Sequence, residues 1–202
     1  MTYRSLTRSS QPVVEPVTIT DAKAHLRVDT DADNTYIMGL VAAARAWVEE
    51  YLDRSLVHTQ WTMRLDGFPP NGLDNLELPR PPMATASAVS AVAITYTTET
   101  GAVVVFPSHE YRVDRNSTPG AISPLYEQAW PVHRRDDNSV TITWWGGYGE
   151  DGTKVPKVVR AAILMLVAYW YERRLAADQV AATAVPFGVS SMLDSIKWGD
   201  YR

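Results

Sequence analysis

The chain has 202 residues, of which 46% are hydrophobic and 21% charged, with a formal net charge of −4 and no cysteine. This composition excludes wholesale disorder, a disulfide framework and thiolate metal sites, and with no basic stripe it argues against a dedicated nucleic-acid binder. The length suits one domain, or one domain with a sizeable insertion.

Residues 1–16 are polar with two prolines and read as a mobile N-terminal arm. They lack the apolar core of a signal peptide. Thr18-Ile19-Thr20-Asp21 then looks like a capping box, in which the Thr18 hydroxyl takes a free backbone N–H and Asp21 reaches back. A short helix follows, with Ala22, His25 and Leu26 on one side, and Asp29-Thr30-Asp31 breaks it. A second helix is predicted over about 32–53, where Ile37, Leu40, Val41, Ala44, Val48, Tyr51 and Leu52 recur at helical spacing. Gly39, Ala42, Ala43 and Ala46 form a second flank of small residues, suited to close approach by another helix.

The pattern changes over 57–153. Trp61, Met63 and Leu65 alternate with Thr62, Arg64 and Asp66, the period of a strand. Short strands are predicted at 76–78, 89–97, 103–106, 111–113 and 140–145, separated by turns such as Glu99-Thr100-Gly101. Many short strands with turn punctuation point to a small antiparallel sheet or barrel.

Helix returns at Lys157. Val159, Ile163, Leu166, Val167 and Trp170 share one face, and Ala162, Met165 and Tyr169 widen it. A helix apolar nearly all round must be buried nearly all round, and a chain this small has few elements to do it. Neighbouring subunits are therefore expected to share the task, with Gly39, Ala42, Ala43, Ala46, Ala162, Met165 and Tyr169 at the subunit interface. The uncharged apolar run at 161–171 falls short of the roughly 20 residues a membrane-spanning helix needs, so no membrane partner is expected. The end of the chain is too apolar for a disordered tail and reads as too broken for a helix. Phe187, Met192, Leu193, Ile196, Trp198 and Tyr201 need a surface to cover, either the chain's own sheet or a partner.

The fold class is thus α+β: a helical bundle of two N-terminal helices and one C-terminal helix, an inserted antiparallel sheet or barrel, and an extended C-terminal tail. The boundaries are 1–16 for the arm, 17–56 and 154–180 for the helical body, 57–153 for the β insertion and 181–202 for the tail.

Chemistry is hard to find. His25, His58, His109 and His133 are scattered, with no HExxH pattern, so no metal is expected. No GxSxG elbow is present. The carboxylate pairs Glu49-Glu50, Asp136-Asp137 and Glu150-Asp151 read as solvated charge, since helix neighbours do not face each other. Gly146-Gly147-Tyr148-Gly149 lacks the P-loop order and reads as a strand-ending loop. Pro79-Arg80-Pro81-Pro82 contains PxxP but directly follows a strand, which favours an edge-strand exit over a polyproline ligand. No cofactor and no catalytic residue is expected, and the chain reads as a non-enzyme.

One ordered set of motifs remains. Glu15-Pro16-Val17-Thr18 leads into Asp21-Ala22-Lys23-Ala24-His25-Leu26-Arg27-Val28-Asp29, then the small-residue helix. Leu78-Pro79-Arg80-Pro81-Pro82, Tyr111-Arg112-Val113-Asp114, Trp130-Pro131 and a Val-Thr-Ile-Thr strand ending in Gly147-Tyr148-Gly149 follow. Val155-Pro156, Tyr169-Trp170-Tyr171-Glu172-Arg173-Arg174, Pro186-Phe187-Gly188-Val189 and Tyr201-Arg202 complete the order. Over about 13–202 this series resembles the head–tail connector family, the adaptor proteins of long-tailed phages and gene transfer agents.

The resemblance implies a homo-oligomeric ring, usually twelvefold, in the virion neck beneath the portal, assembled in the host cytoplasm. The helices would form the ring body. The C-terminal segment, with Phe187, Met192, Leu193, Ile196, Trp198, Tyr201 and Arg202, would dock on the portal. The opposite side would receive a stopper or tail-completion protein. Genome DNA would pass through without sequence-specific binding, eased by an acidic lumen that repels phosphate. Two alternatives stand beside this: a stopper or tail-terminator protein, disfavoured by the two long helices, and a ligand-binding β module or enzyme using the aromatic insertion. Loops 71–75 and 134–138 are both candidate docking sites for the next neck protein.

Overall fold

The computed structural model describes residues 3–70, 72–85, 91–173 and 187–197. It divides into two compact units, one of residues 1–12 and 58–148 and the other of 13–57 and 149–202.

The second of these is helical. Helix α1 (Ile19–Leu26) starts where the Thr18 hydroxyl accepts the Asp21 N–H at 3.1 Å. The Asp21 carboxylate does not complete the capping box: it accepts from Arg160 at 2.9 Å, where a full cation outcompetes a backbone amide. Helix α2 (Asn34–Leu52) buries Ile37, Val41, Ala44, Val48 and Leu52 completely, and it ends at Asp53 in the left-handed region, where the Arg54 N–H closes onto the Glu49 carbonyl at 3.1 Å. Helix α3 (Lys157–Glu172) packs on α2 and α1 through Val159, Ala162, Ile163, Leu166 and Val167. Burying each large aliphatic side chain contributes about 1.5–3 kcal/mol.

Helix α4 (Phe187–Asp194) corrects the expected extended tail. Val189 and Leu193, four residues apart, are fully buried, and α4 packs on α3. That tertiary contact outweighs the poor helix propensity of Gly188, Ser190 and Ser191.

Among the described residues the other unit holds eight strands. A five-stranded sheet has the order β1 (Ser5–Arg8), β2 (Thr59–Leu65), β8 (Val140–Gly146), β4 (Ala93–Thr97), β5 (Val103–Phe106). A three-stranded sheet has the order β3 (Leu76–Leu78), β7 (Gly120–Pro124), β6 (Tyr111–Asp114). Every pairing is antiparallel. Both sheets are open among the described residues, so the barrel alternative gives way to the sheet. They share one core of Trp61, Met63, Leu65, Ile94, Phe106, Val140, Ile142 and Trp144 from the larger sheet with Leu76, Leu78, Tyr111 and Ile122 from the smaller. Phe68 stacks on Trp130 at 4.8 Å between ring centres, closing one end.

The arm expected over 1–16 is corrected at Ser5–Arg8. It pairs with β2 along its length, and Arg4 ties its start by donating to Asp66 at 2.6 Å and Asp137 at 2.7 Å. Strand β7 was also not foreseen.

The pleat sends alternate residues of the larger sheet outward. Ser5, Arg64, Thr141, Thr95 and Val105 stand in one row across all five strands, and Thr7, Thr62, Thr143 and Ala93 in the next. Arg64 is the lone charge in these two rows.

Candidate assembly surfaces

Among the described residues no group of three or more His, Asp or Glu could hold a metal ion. Four members of the carboxylate pairs have structural partners. Asp136 and Asp137 pair with Arg134 and Arg4, and Asp151 caps a 3-10 turn by accepting the Thr153 N–H at 2.8 Å. Glu49 is buried at 1% exposure, accepting from Arg45 at 2.8 Å and from the Leu56 N–H at 2.9 Å. Arg45 also donates to Glu15 at 2.7 Å. Burial works against its charge, but the bonds to Glu15 and Glu49 outweigh it and raise the guanidinium above its ordinary value. The cluster fixes the chain before α1 and the chain after α2 onto one point.

On α2, Gly39, Ala43 and Ala46 are exposed and Ala42 is half-buried. A methyl group added at Gly39 would meet nothing within 4 Å. This small-residue flank is open surface among the described residues. On α3 the expectation divides. Met165 and Tyr169 are half-buried, but Ala162 is fully buried by its own chain. Ala162 is therefore corrected: it faces the subunit's core, leaving no surface to share. Ala161, Leu164 and Ala168, which the sequence reading passed over, are half-buried on the same flank as Met165. Their three- and four-residue spacing was the available signal.

The C-terminal docking set also divides. Phe187 is 86% exposed, and Met192 and Ile196 are half-buried. Leu193 is corrected, because full burial within its own chain removes it from any outer surface. Trp198, Tyr201 and Arg202 lie outside the described residues. Asp194 accepts from the Tyr51 hydroxyl and Lys197 lies 4.8 Å over the Tyr51 ring, so this segment is held to α2 as well.

In the β unit, the candidate loops at 71–75 and 134–138 differ. The first is built onto Trp130, whose backbone N–H donates to the Gly72 carbonyl and whose ring N–H donates to the Asp74 carbonyl, both at 3.0 Å. Leu73, Tyr126 and Val132 are exposed at 66%, 87% and 72%. The second loop carries Arg134, Arg135, Asp136 and Asp137, all exposed.

Residues 16–103 match the family described as phage gp6-like head-tail connector protein. No curated protein matches the chain. Among solved structures, the chain is similar to one in the neck of an empty GTA particle computed with C6 symmetry, with a TM-score of 0.75 and 21% identity over 96% of this chain and 95% of that one. A chain in the virion of a native gene transfer agent (GTA) particle gives a TM-score of 0.72 and 21% identity over 95% and 94%. A chain in the neck of a native GTA particle computed with C12 symmetry gives 0.68 and 21% over 96% and 94%. The resemblance read from the motifs is thus met by the family over 16–103 and by a shared fold over nearly the whole chain.

Proposed function

We propose that the protein is a structural head–tail connector of the adaptor type, a virion neck subunit that forms a ring beneath the portal and offers a platform to the next neck or tail protein. The observation that carries this reading is the fold shared over 96% of the chain with a neck protein, joined to the connector-family match over 16–103. The matched family is one of connectors, not of enzymes. A ring of about twelve copies is the proposed assembly.

Gly39, Ala42, Ala43 and Ala46 of one subunit lie against the flank of Ala161, Leu164, Met165, Ala168 and Tyr169 of the next. A backbone-deep contact of small residues on an apolar helix buries area without trapping long polar side chains. The exposed Phe187, with Met192, Ile196, Trp198, Tyr201 and Arg202, docks on the portal. DNA passes through without sequence reading, and the net charge of −4 per chain keeps phosphate from sticking.

The test is the mass of the purified protein, alone and mixed with its portal, by light scattering with negative-stain imaging. A ring or a stable portal complex is expected. A monomer that ignores the portal overturns the reading, and one that binds only a tail-side protein assigns the stopper role. Because Leu193 and Val189 are part of the helical core, truncation would confound docking with stability. Phe187→Glu avoids this: it should leave thermal stability unchanged and weaken portal binding on the order of tenfold or more. Full portal affinity in that variant moves the docking site elsewhere.

A further inference from the structure

The larger sheet ends in two open strands, and the chemistry of β5 is unusual for an edge. Strands at an edge are normally guarded by charge, proline or a bulge against pairing with another chain. Val103-Val104-Val105-Phe106 has no charge and no proline, pairs residue for residue with β4, and exposes Val103 and Val105 at 73% and 68%. Among the described residues no strand pairs with the outer edge of β5 or of β1.

We infer that β5 of one copy pairs with β1 of the next, so that the larger sheet runs on from subunit to subunit. This rests on the ring reading above, and it adds a second interface beside the helical one.

Three features select β1 as the occupant. The first is direction. Four successive antiparallel neighbours set β1 and β5 running the same way, so a head-to-tail copy meets β5 with a parallel β1. Parallel pairs within a mixed sheet are common. The second is pattern. Each strand has four residues, and in parallel register Ser5 and Thr7 meet Val103 and Val105 on the outer face. Leu6 then meets Val104 on the inner face, both half-buried. The third is charge, which disfavours the other edge as occupant: the exposed Glu99 and Glu110 flank β5. Pairing of β5 with β5 would bring Glu99 and Glu110 of two copies together and would make a closed twofold dimer, not a ring.

The absence of native cysteine allows a direct test by cross-linking. The full chain carrying Ser5→Cys with Val103→Cys, or Thr7→Cys with Val105→Cys, is assembled and mildly oxidised. A ladder of covalent multimers is expected on a non-reducing gel, with each single-cysteine variant remaining monomeric. Rings that form with no ladder in either double variant overturn the sheet junction and leave the connector reading standing. Dimers from Val103→Cys or Val105→Cys alone show that β5 pairs with itself and also overturn it. Failure of the unmodified chain to form a ring, alone or on the portal, overturns both. The companion variant Val103→Lys/Val105→Lys should keep the circular dichroism of the parent and lower assembly about tenfold. Unchanged assembly in that variant counts against the junction.

Discussion

In the β unit the strands turn their large apolar side chains onto a shared core, and the apolar groups left outside, such as Val103, Val105, Leu73 and Tyr126, sit at an edge or on loops. In the helical unit the uncovered apolar groups lie on the same helix as the core. Leu164 and Met165 are half-buried, lying between the fully buried Ala162 and Leu166 in sequence. The units differ in polar content too. The β core is closed by aromatic stacking, while the helical unit buries an ion pair between Arg45 and Glu49. The difference teaches that a sheet can be completed by a second sheet of its own chain, whereas a helix apolar on all sides outruns the helices available to cover it. Among the described residues the first unit covers its own core, while the second leaves one flank of α3 half-buried.

The sharpest way to break this comparison is to place one charge on either side of α3. Ala162→Glu puts a carboxylate where exposure is 0%, and it should unfold the helical unit at a cost of about 4 kcal/mol or more. Leu164→Glu, two residues on, should change monomer stability by less than about 1 kcal/mol and abolish ring formation. Denaturant unfolding and light scattering on both variants decide the matter. Equal loss of stability would mean that the flank belongs to the core.

The buried ion pair is the next largest effect. Arg45→Ala leaves Glu49 buried without its cation, and urea unfolding should show a loss of about 3–5 kcal/mol. Arg45→Met with Glu49→Gln should recover much of this, because the glutamine can still accept the Leu56 N–H. A single variant as stable as the parent would show that the pair does not organise the unit.

The smallest effect is acid loosening of β1. The Arg4 guanidinium, followed by the Asn138 N–H, holds the Asp66 carboxyl below its usual range. A carboxyl depressed in the folded state stabilises above its unfolded pKa of about 3.9, and that contribution fades as pH falls through the lower folded value. Amide exchange at Ser5–Arg8 should therefore rise below about pH 4 before exchange at β8 does, and Asp66→Asn should show the fast rate at neutral pH. Matching rates in both strands at every pH would remove the anchor.

Much of the fold was legible because periodicity carries it. Ile37 to Leu52 on α2 and Val140 to Trp144 on β8 announce their periods, and both elements fall within two residues of the expected bounds. Strand β1 was hidden because Ser-Leu-Thr-Arg holds a single apolar residue, and its pairing with β2 lies far off in sequence. In β7 the glycine and proline at the two ends masked Ile122, the large side chain that it buries. Helix α4 was missed because its local sequence disfavours helix and only the packing of Val189 and Leu193 supplies the stability. The candidate interface was half legible for a related reason. Helical spacing shows that α3 has two apolar flanks, but not which one its own chain occupies, and so Ala162 and Leu193 fell on the wrong side.

The outward rows of the larger sheet hold hydroxyls and methyls with one guanidinium among them. Such a surface has almost no field of its own, and counter-ions have little to screen. A junction continuing that sheet would hold by backbone pairing and shape, so its strength should stay nearly level from dilute buffer to concentrated salt. An assembly held in this way would keep its grip whatever the ionic strength around it.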